Sequence, residues 1–380
     1  HQGRRRRRKE VSFERALHQH GELCDCPRPT LINIVPSGYL AAFRMIRITA
    51  ALRSTKLLHR CWTFSCHAGV SQCRESSGGT PLVEREIREL QIPVPYGHLA
   101  AKQWLPTSAE DPHRRVLLLH GFQDNASSFD DVVPRLDPRW HAVALDFTGH
   151  GLSSHLPRGV PYMSIQFWFD VCRAAEYLGW TQFSIIGHSL GGHVGLHFGC
   201  MFPEKLQNLV MIDALGPIYE QASRAAKVFR GIIEGNMRLE QKDLSRPPVY
   251  TEEQLIKLYT EKTAFGYLPD NVRTLMKRGC KSVGDGRYVL TKDARLKYIH
   301  WIRSDSAALK EYYKGYNNNL LALVAIPGFG GSSAKRKIVS DALAQSCRTF
   351  KIIDIEGNHH LHMSFPDTVA GHIRSFLDPQ

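Results

Sequence analysis

Three patterns in the sequence predict an α/β fold with a mostly parallel sheet and helices on both faces. Short, nearly continuous apolar runs recur after residue 115, as expected for strands that are buried on both faces. Helical patterns at 166–178 and 192–202 lie between the early runs, which favours parallel connections. A hairpin pattern precedes all of them, so an antiparallel pair is expected at one edge of the sheet.

The predicted elements follow in order along the chain. Residues 86–94 and 98–105 flank Pro95-Tyr96-Gly97 and predict the hairpin. Parallel strands end at the same sheet edge, so the chemistry is expected at their carboxyl ends. The segment at about 217–318 is rich in helix formers and has no comparable run, which predicts an inserted helical lid over the site. The buried runs are Val116–Leu119, Ala142–Leu145, Phe183–Ile186, Leu209–Ile212, Leu321–Ile326 and Phe350–Ile355.

The first eighty residues differ from the rest in charge. Of the net charge of +13, residues 1–80 carry +9, so residues 81–380 are nearly neutral and nucleic acid is not an expected partner. Residues 1–80 predict a disordered basic leader. The basic, apolar stretch from Met45 suits a mitochondrial transit peptide, although a basic helix resting on a surface has the same composition. Residues 81–380 are predicted to form one domain that includes the lid.

Cysteine use and hydropathy bear on the compartment. The nine Cys show no Cys-x-x-Cys pair and no metal-ligand spacing, so reduced thiols of an intracellular protein are predicted. No run of eighteen apolar residues occurs, so no transmembrane segment is expected. Phosphate, dinucleotide and zinc motifs are also absent, and no cofactor or metal is expected. No pattern indicates the oligomeric state.

The sharpest motif is a serine between glycines, Gly187-His188-Ser189-Leu190-Gly191. It follows a strand run and opens a helix, which is the context of a nucleophile elbow. Ser189 would sit on a tight, strained turn where Gly187 and Gly191 leave room for the backbone. The helix N-terminus would direct free N–H groups at a developing oxyanion. Ser189 is therefore the predicted nucleophile.

The loop after the first buried run predicts the rest of an oxyanion hole. Gly121 would let the backbone turn sharply within His120-Gly121-Phe122-Gln123. The N–H groups of Phe122 and Leu190 would both donate to the developing oxyanion. His120 is interpreted as a structural histidine at the end of the strand.

Three histidines after the last strand compete for the role of general base: His359, His360 and His362. His359 comes first out of the strand, behind a Gly that permits a loop. It is therefore assigned as the base.

Four segments carry a resemblance to a known family: 92–102 (IPVPYGHLAAK), 119–129 (LHGFQDNASSF), 146–154 (DFTGHGLSS) and 187–192 (GHSLGG). With them, residues from about Glu86 to Leu377 resemble an α/β-hydrolase of the serine hydrolase-like protein group. The resemblance implies an eight-stranded sheet, a helical cap, a Ser nucleophile, no cofactor and a cytoplasmic or peroxisomal setting. The C-terminal Asp378-Pro379-Gln380 is not a peroxisomal address of the Ser-Lys-Leu type.

The sequence differs from the family pattern at the position of the acid that orients the histidine. In this fold it usually follows the strand that is here Leu321–Ile326, but Gly331 stands where related proteins carry Asp. Losing the orienting carboxylate costs about ten-thousandfold in turnover in serine proteases. An uncompensated Gly331 would therefore leave a slow enzyme.

Asp213 is the main candidate for the acid. It follows a buried run at a place that resembles the position where haloalkane dehalogenases put their catalytic Glu, and the chain order Ser189, Asp213, His359 is permitted. An Asp at a strand end can instead cap a loop. The later Asp341 is a further alternative.

These motifs predict a serine hydrolase that cleaves an ester, thioester or similar small apolar acyl substrate through a Ser-His-Asp triad. The lid would line the acyl pocket with its apolar faces. The motifs do not separate esters from amides or carbon-carbon bonds. Gly331 motivates an alternative, a catalytically weak α/β-hydrolase that binds a small molecule or a partner.

Overall fold

A computed structural model describes residues 84–216, 222–263, 265–301, 305–328 and 333–378. The basic leader predicted for residues 1–80 lies outside these ranges, together with the transit peptide considered from Met45. Gly331 also lies outside them. Within them, every helix is too short or too polar to cross a membrane. The cysteines in the same ranges are free thiols, namely Cys172, Cys200, Cys280 and Cys347.

The described residues form strands whose bounds are β1 Ile87–Val94, β2 Gly97–Trp104, β3 Arg115–Leu119, β4 His141–Leu145, β5 Phe183–His188, β6 Leu206–Ile212, β7 Tyr250–Thr251, β8 Cys280–Gly284, β9 Arg287–Leu290, β10 Asn319–Ile326 and β11 Thr349–Glu356. Eight of them make one sheet in the order β1-β2-β4-β3-β5-β6-β10-β11. The hairpin of β1 and β2 lies at one edge and β2 is antiparallel to β4, while all other neighbours are parallel. The predicted mostly parallel sheet with an antiparallel edge is confirmed.

The helices are α1 Ile165–Tyr177, α2 Leu190–Met201, α3 Ala222–Glu240, α4 Glu252–Lys262, α5 Pro269–Gly279, α6 Ser306–Tyr313, α7 Ser333–Ser346, α8 Leu361–Ser364 and α9 Pro366–Leu377. Each face of the main sheet has its own hydrophobic core. Leu117 and Leu119 of β3 share one core with residues of α1 and α2. Val116 and Leu118 share the other with residues of α9. Because successive strand side chains point to opposite faces, a continuous apolar run fills both cores.

Between β6 and β10 the chain forms the insert that the sequence predicted to be a helical lid. It holds α3, α4, α5 and α6, and also a small antiparallel sheet in the order β7-β9-β8. The sequence did not indicate this sheet, because its strands are short, contain no fully buried residue and lack an apolar run as long as those of the main sheet. The turn between β8 and β9 is Asp285-Gly286, with φ of 50° and 65°, which suits a tight hairpin.

Candidate active site

Ser189 occupies a strained turn between β5 and α2. Its φ is 48° and its ψ is −111°, and its N–H donates to the carbonyl oxygen of Ile212 at 2.9 Å. A Cβ added to Gly187 would lie 2.3 Å from the carbonyl carbon of Gly191. A Cβ added to Gly191 would lie 1.9 Å from the carbonyl oxygen of Leu119. Both positions therefore require glycine, and Ser189 is held in a conformation that residues with side chains rarely adopt.

Asp213 and His359, called the Asp213 pair below, are hydrogen-bonded to each other at the carboxyl end of the sheet. Nδ1 of His359 donates to Oδ2 of Asp213 at 2.6 Å. The N–H of Asp213 donates to the carbonyl oxygen of Leu323 at 2.7 Å, and the N–H of Ala325 donates to Oδ1 of Asp213 at 3.2 Å. Strand β10 thus fixes the carboxylate, and the carboxylate orients the imidazole ring.

The other acid considered from the sequence, Asp341, has a different partner. It lies on α7, where its half-exposed carboxylate pairs with Lys337 at 3.0 Å. Of the two acids, Asp213 is the one whose carboxylate contacts His359.

Burial dominates the electrostatics of His359. It lowers the pKa of His359 to about 4, although the hydrogen bond to Asp213 acts in the opposite direction. The Phe265 ring from the insert contributes to this burial, since it stacks on His359 with 5.5 Å between ring centroids. The imidazole is therefore neutral near neutral pH, and its Nε2 can accept a proton.

The predicted nucleophile and base line the same narrow cleft. Ser189, His359 and Phe122 surround a space of about 180 Å³, together with Phe265 and Tyr267 of the insert. Side chains of the insert therefore contribute to the cleft that Ser189 and His359 line.

Of the residues predicted for the oxyanion hole, Phe122 lines this cleft and Leu190 directly follows Ser189. Leu190 is the first residue of α2, so its N–H belongs to the turn whose amides have no acceptor within the helix. Phe122 follows Gly121 in the loop after β3. A Cβ on Gly121 would lie 2.6 Å from Nδ1 of His188, so this loop packs directly on the elbow.

Two further polar residues near the cleft have structural contacts. Asp146 accepts hydrogen bonds from the N–H groups of Ala126 at 2.7 Å and Leu152 at 2.9 Å, which ties two loops together. Nε2 of the buried His120 accepts from the N–H of Phe147 at 3.1 Å. His120 thus has the structural role that the sequence predicted.

A second group of ionisable side chains also lines the cleft, and of its members the sequence pointed only to His360, as an alternative base. Asp124, His188 and His360, called the Asp124 cluster below, are all buried. Nδ1 of His188 lies 3.6 Å, and Nε2 of His360 lies 3.4 Å, from Oδ2 of Asp124. The one signal in the sequence is adjacency, since His188 precedes Ser189 and His360 follows His359.

Known proteins resemble the chain over nearly all of the described domain. The profile of the alpha/beta hydrolase fold family matches residues 114–249. The Serine hydrolase-like protein of Danio rerio is 34% identical, over 79% of this chain and 91% of that protein. The human Serine hydrolase-like protein 2 is 35% identical, over 77% of this chain and 94% of that protein. The crystal structure of a hypothetical protein from Pseudomonas aeruginosa PAO1 is similar with a TM-score of 0.64 and 28% identity, over 76% of this chain and 97% of that one.

Proposed function

The chain belongs to the α/β-hydrolase family and is related to the serine hydrolase-like proteins, and from that membership we propose that it is a serine hydrolase of esters, thioesters or similar acyl substrates. The observation that carries the proposal is the 2.6 Å hydrogen bond between His359 and Asp213, in the cleft that Ser189 also lines. In this proposal Asp213, which follows β6, is the orienting acid in place of the Asp that related proteins carry where this chain has Gly331.

The proposed first half of the reaction forms an acyl-enzyme. Oγ of Ser189 attacks the substrate carbonyl carbon while Nε2 of His359 takes the hydroxyl proton. The N–H groups of Phe122 and Leu190 hold the oxyanion. Collapse of the tetrahedral intermediate breaks the bond to the leaving group, which receives the proton from His359. Asp213 keeps Nδ1 protonated throughout and stabilises the imidazolium.

The second half releases the acid. A water molecule gives its proton to Nε2 of His359 and attacks the acyl carbon, which forms a second oxyanion at the same two N–H groups. When this intermediate collapses, the bond to Oγ of Ser189 breaks and the proton returns to the serine. The products are a carboxylic acid and the free enzyme.

An apolar acyl group is proposed because aromatic side chains form one part of the cleft, beside the ionisable side chains of the Asp124 cluster and His359. Phe122, Phe265 and Tyr267 line the cleft, and Trp301 packs on Phe122 with 5.5 Å between ring centroids. Such a surface favours an aliphatic or aromatic acyl chain over a charged one.

Labelling of the full-length chain with a fluorophosphonate tests the proposal. The probe reacts with activated serines and forms a covalent adduct that mass spectrometry can locate. Wild type is expected to carry one adduct, on Ser189, and Ser189→Ala none. Ser108→Ala removes a serine that is exposed on a loop and is the matched control, expected to label like wild type.

A folded wild-type chain that takes up no probe would contradict the proposal and favour the catalytically weak, ligand-binding alternative. Labelling that persists in Ser189→Ala would also contradict it. A labelled protein would next be assayed with esters and thioesters that share one acyl chain, which separates the two leaving groups.

A further inference from the structure

The Asp124 cluster brings three separate segments of the chain to one buried point. Asp124 follows β3, His188 ends β5 and His360 follows β11, and each residue is 2% exposed or less. One side-chain ligand atom from each lies within 4.8 Å of the others. The proposed hydrolysis assigns no step to any of the three.

The hydrogen bond that His188 makes fixes its tautomer. Nε2 of His188 lies 2.9 Å from the carbonyl oxygen of His359, and because a carbonyl can only accept, Nε2 carries the hydrogen. In the neutral ring, Nδ1 then carries a lone pair and no hydrogen, and it faces Oδ2 of Asp124 at 3.6 Å. Within the part of the chain that the structure describes, both facing atoms are buried and lack a hydrogen-bond partner.

His360 repeats this arrangement with its nitrogens exchanged. Nδ1 of His360 donates to the carbonyl oxygen of Phe265 at 3.2 Å, which leaves Nε2 as a lone pair 3.4 Å from Oδ2 of Asp124. The other carboxylate oxygen, Oδ1, accepts from the hydroxyl of Tyr267 at 2.6 Å. Two ring nitrogens with lone pairs therefore face one carboxylate oxygen in a buried space. Because all three atoms are electron-rich, a positive charge between them is needed to stabilise the arrangement.

We propose that Asp124, His188 and His360 bind a divalent transition-metal ion, with Zn²⁺ as the best match. In a tetrahedral zinc site with bonds of about 2.0–2.1 Å, neighbouring ligand atoms lie about 3.3 Å apart. The two separations from Oδ2 of Asp124, 3.4 Å and 3.6 Å, are close to this value, and all three ligand atoms lie within 4.8 Å of one another. Two imidazoles and one carboxylate suit zinc better than Mg²⁺ or Ca²⁺, which take oxygen ligands.

The contacts around the cluster are those that zinc ligands ordinarily have. Histidines that bind metals donate their second ring N–H to a carbonyl or carboxylate, which fixes the tautomer and the ring orientation. His188 and His360 both donate to backbone carbonyls, and the hydroxyl of Tyr267 holds the carboxylate.

A metal ion at this point would link the segments that carry the proposed catalytic groups. It would join the loop that holds Phe122 to the elbow that holds Ser189 and to the loop that holds His359. The ion has a positioning role and takes part in no chemical step. The inference rests on the tautomers and distances of the Asp124 cluster, so it does not depend on the proposed function.

The test uses full-length wild-type protein that is treated with a chelator, dialysed and titrated with Co²⁺. The visible spectrum of Co²⁺ reports both the geometry and the ligand type of its site. We expect one Co²⁺ per chain with the intense bands of tetrahedral coordination, and displacement by Zn²⁺. We expect no thiolate-to-metal charge-transfer band, which distinguishes the cluster from the nine Cys of the chain.

Two variants and a control locate the ion. Asp124→Asn and His360→Gln are each expected to weaken Co²⁺ binding at least a hundredfold. His197→Gln removes a histidine of α2 that packs against Trp168 outside the cluster, and it is expected to bind Co²⁺ like wild type. Circular dichroism checks that each variant is folded.

Several results would overturn the proposal: no stoichiometric Co²⁺ on wild type, a spectrum of thiolate coordination alone, or unchanged affinity in both folded variants. If the variants do not fold, ¹⁵N NMR of the histidine rings in wild type still decides. If the ¹⁵N signals of the unprotonated ring nitrogens of His188 and His360 shift to metal-bound positions on adding Zn²⁺, the proposed zinc site is supported. Rings that carry hydrogen on both nitrogens and do not respond to Zn²⁺ would show that protons supply the charge, which refutes it. Fluorophosphonate labelling of Ser189 is measured separately, so failure of either proposal is distinguishable.

Discussion

The Asp213 pair and the Asp124 cluster lie side by side at the carboxyl end of the sheet, and they differ in where the imidazole hydrogens point. In the pair, the Nδ1 hydrogen of His359 points at Asp213 over 2.6 Å. In the cluster, the ring hydrogens of His188 and His360 point at backbone carbonyls, and the opposite nitrogens face Asp124 at 3.6 Å and 3.4 Å.

This difference shows that residue types alone do not decide what an Asp–His group can do. A carboxylate that accepts the ring N–H leaves the far nitrogen basic and oriented, which suits proton transfer. A carboxylate that faces ring lone pairs attracts a cation instead. The backbone carbonyls of His359 and Phe265 select the second outcome for the cluster.

The largest expected effect comes from removing the hydroxyl of Ser189, which His359 of the Asp213 pair deprotonates in the proposed reaction. Ser189→Ala should lower kcat about a million-fold, because no other group can form the acyl-enzyme. Steady-state hydrolysis of the best ester from the substrate panel measures this, with Ser108→Ala as the control. A loss of less than a hundredfold would show that Ser189 is not the nucleophile.

Asp213→Asn should lower kcat about ten-thousandfold, because an amide no longer holds the productive tautomer of His359. The same assay with Asp341→Asn is the matched control, since Asp341 pairs with Lys337 on α7, and that variant should keep wild-type turnover. If both variants lose less than tenfold, the pair is not the acid–base unit.

Zn²⁺ should stabilise the protein through the cluster and not through the pair. At a hundred times its Kd, a ligand that binds only the folded state adds about 2.7 kcal/mol to the free energy of unfolding, which raises Tm by roughly 5–10 °C. Differential scanning fluorimetry should show this rise in wild type and Asp213→Asn, but not in Asp124→Asn. Equal rises in all three proteins would place the ion elsewhere.

Tyr267→Phe should have the smallest effect, about a tenfold loss of Zn²⁺ affinity, because the hydroxyl only orients the carboxylate of Asp124. Competition with a chromophoric chelator measures the affinity. Tyr312→Phe, which removes a hydroxyl that donates to the carbonyl oxygen of His197, is the control and should bind normally. An unchanged Zn²⁺ affinity in Tyr267→Phe would show that this hydrogen bond does not contribute to metal binding.

Local patterns were sufficient to predict the sheet and the elbow. The run at 116–119 falls within β3, which is buried and therefore apolar on both faces. The run at 350–355 falls within β11, which is the edge strand of the sheet and is largely exposed. The glycines around Ser189 indicate the turn, because added side chains would collide with neighbouring backbone. These features depend on residues that are near one another in sequence.

Features that depend on distant contacts were not predictable in the same way. The tautomers of His188 and His360 are set by carbonyls 171 and 95 residues away along the chain, so no spacing motif indicates the cluster. The choice of Asp213 over Asp341 stayed open in the sequence, because it depends on how β6 lies beside β10. The small sheet of the insert has short strands without buried residues, so no long apolar run indicates it.

The strained backbone at two neighbouring strand ends has a consequence for how the protein responds to heat. Ser189 and Asp213 both have positive φ, 48° and 43°, at the ends of β5 and β6. Strained conformations of this kind cost on the order of 1–3 kcal/mol each and persist only while the surrounding core enforces them. A substitution that loosens this core is therefore expected to shift both turns and to lower activity at temperatures below Tm. Residual activity measured beside a melting curve would report this directly.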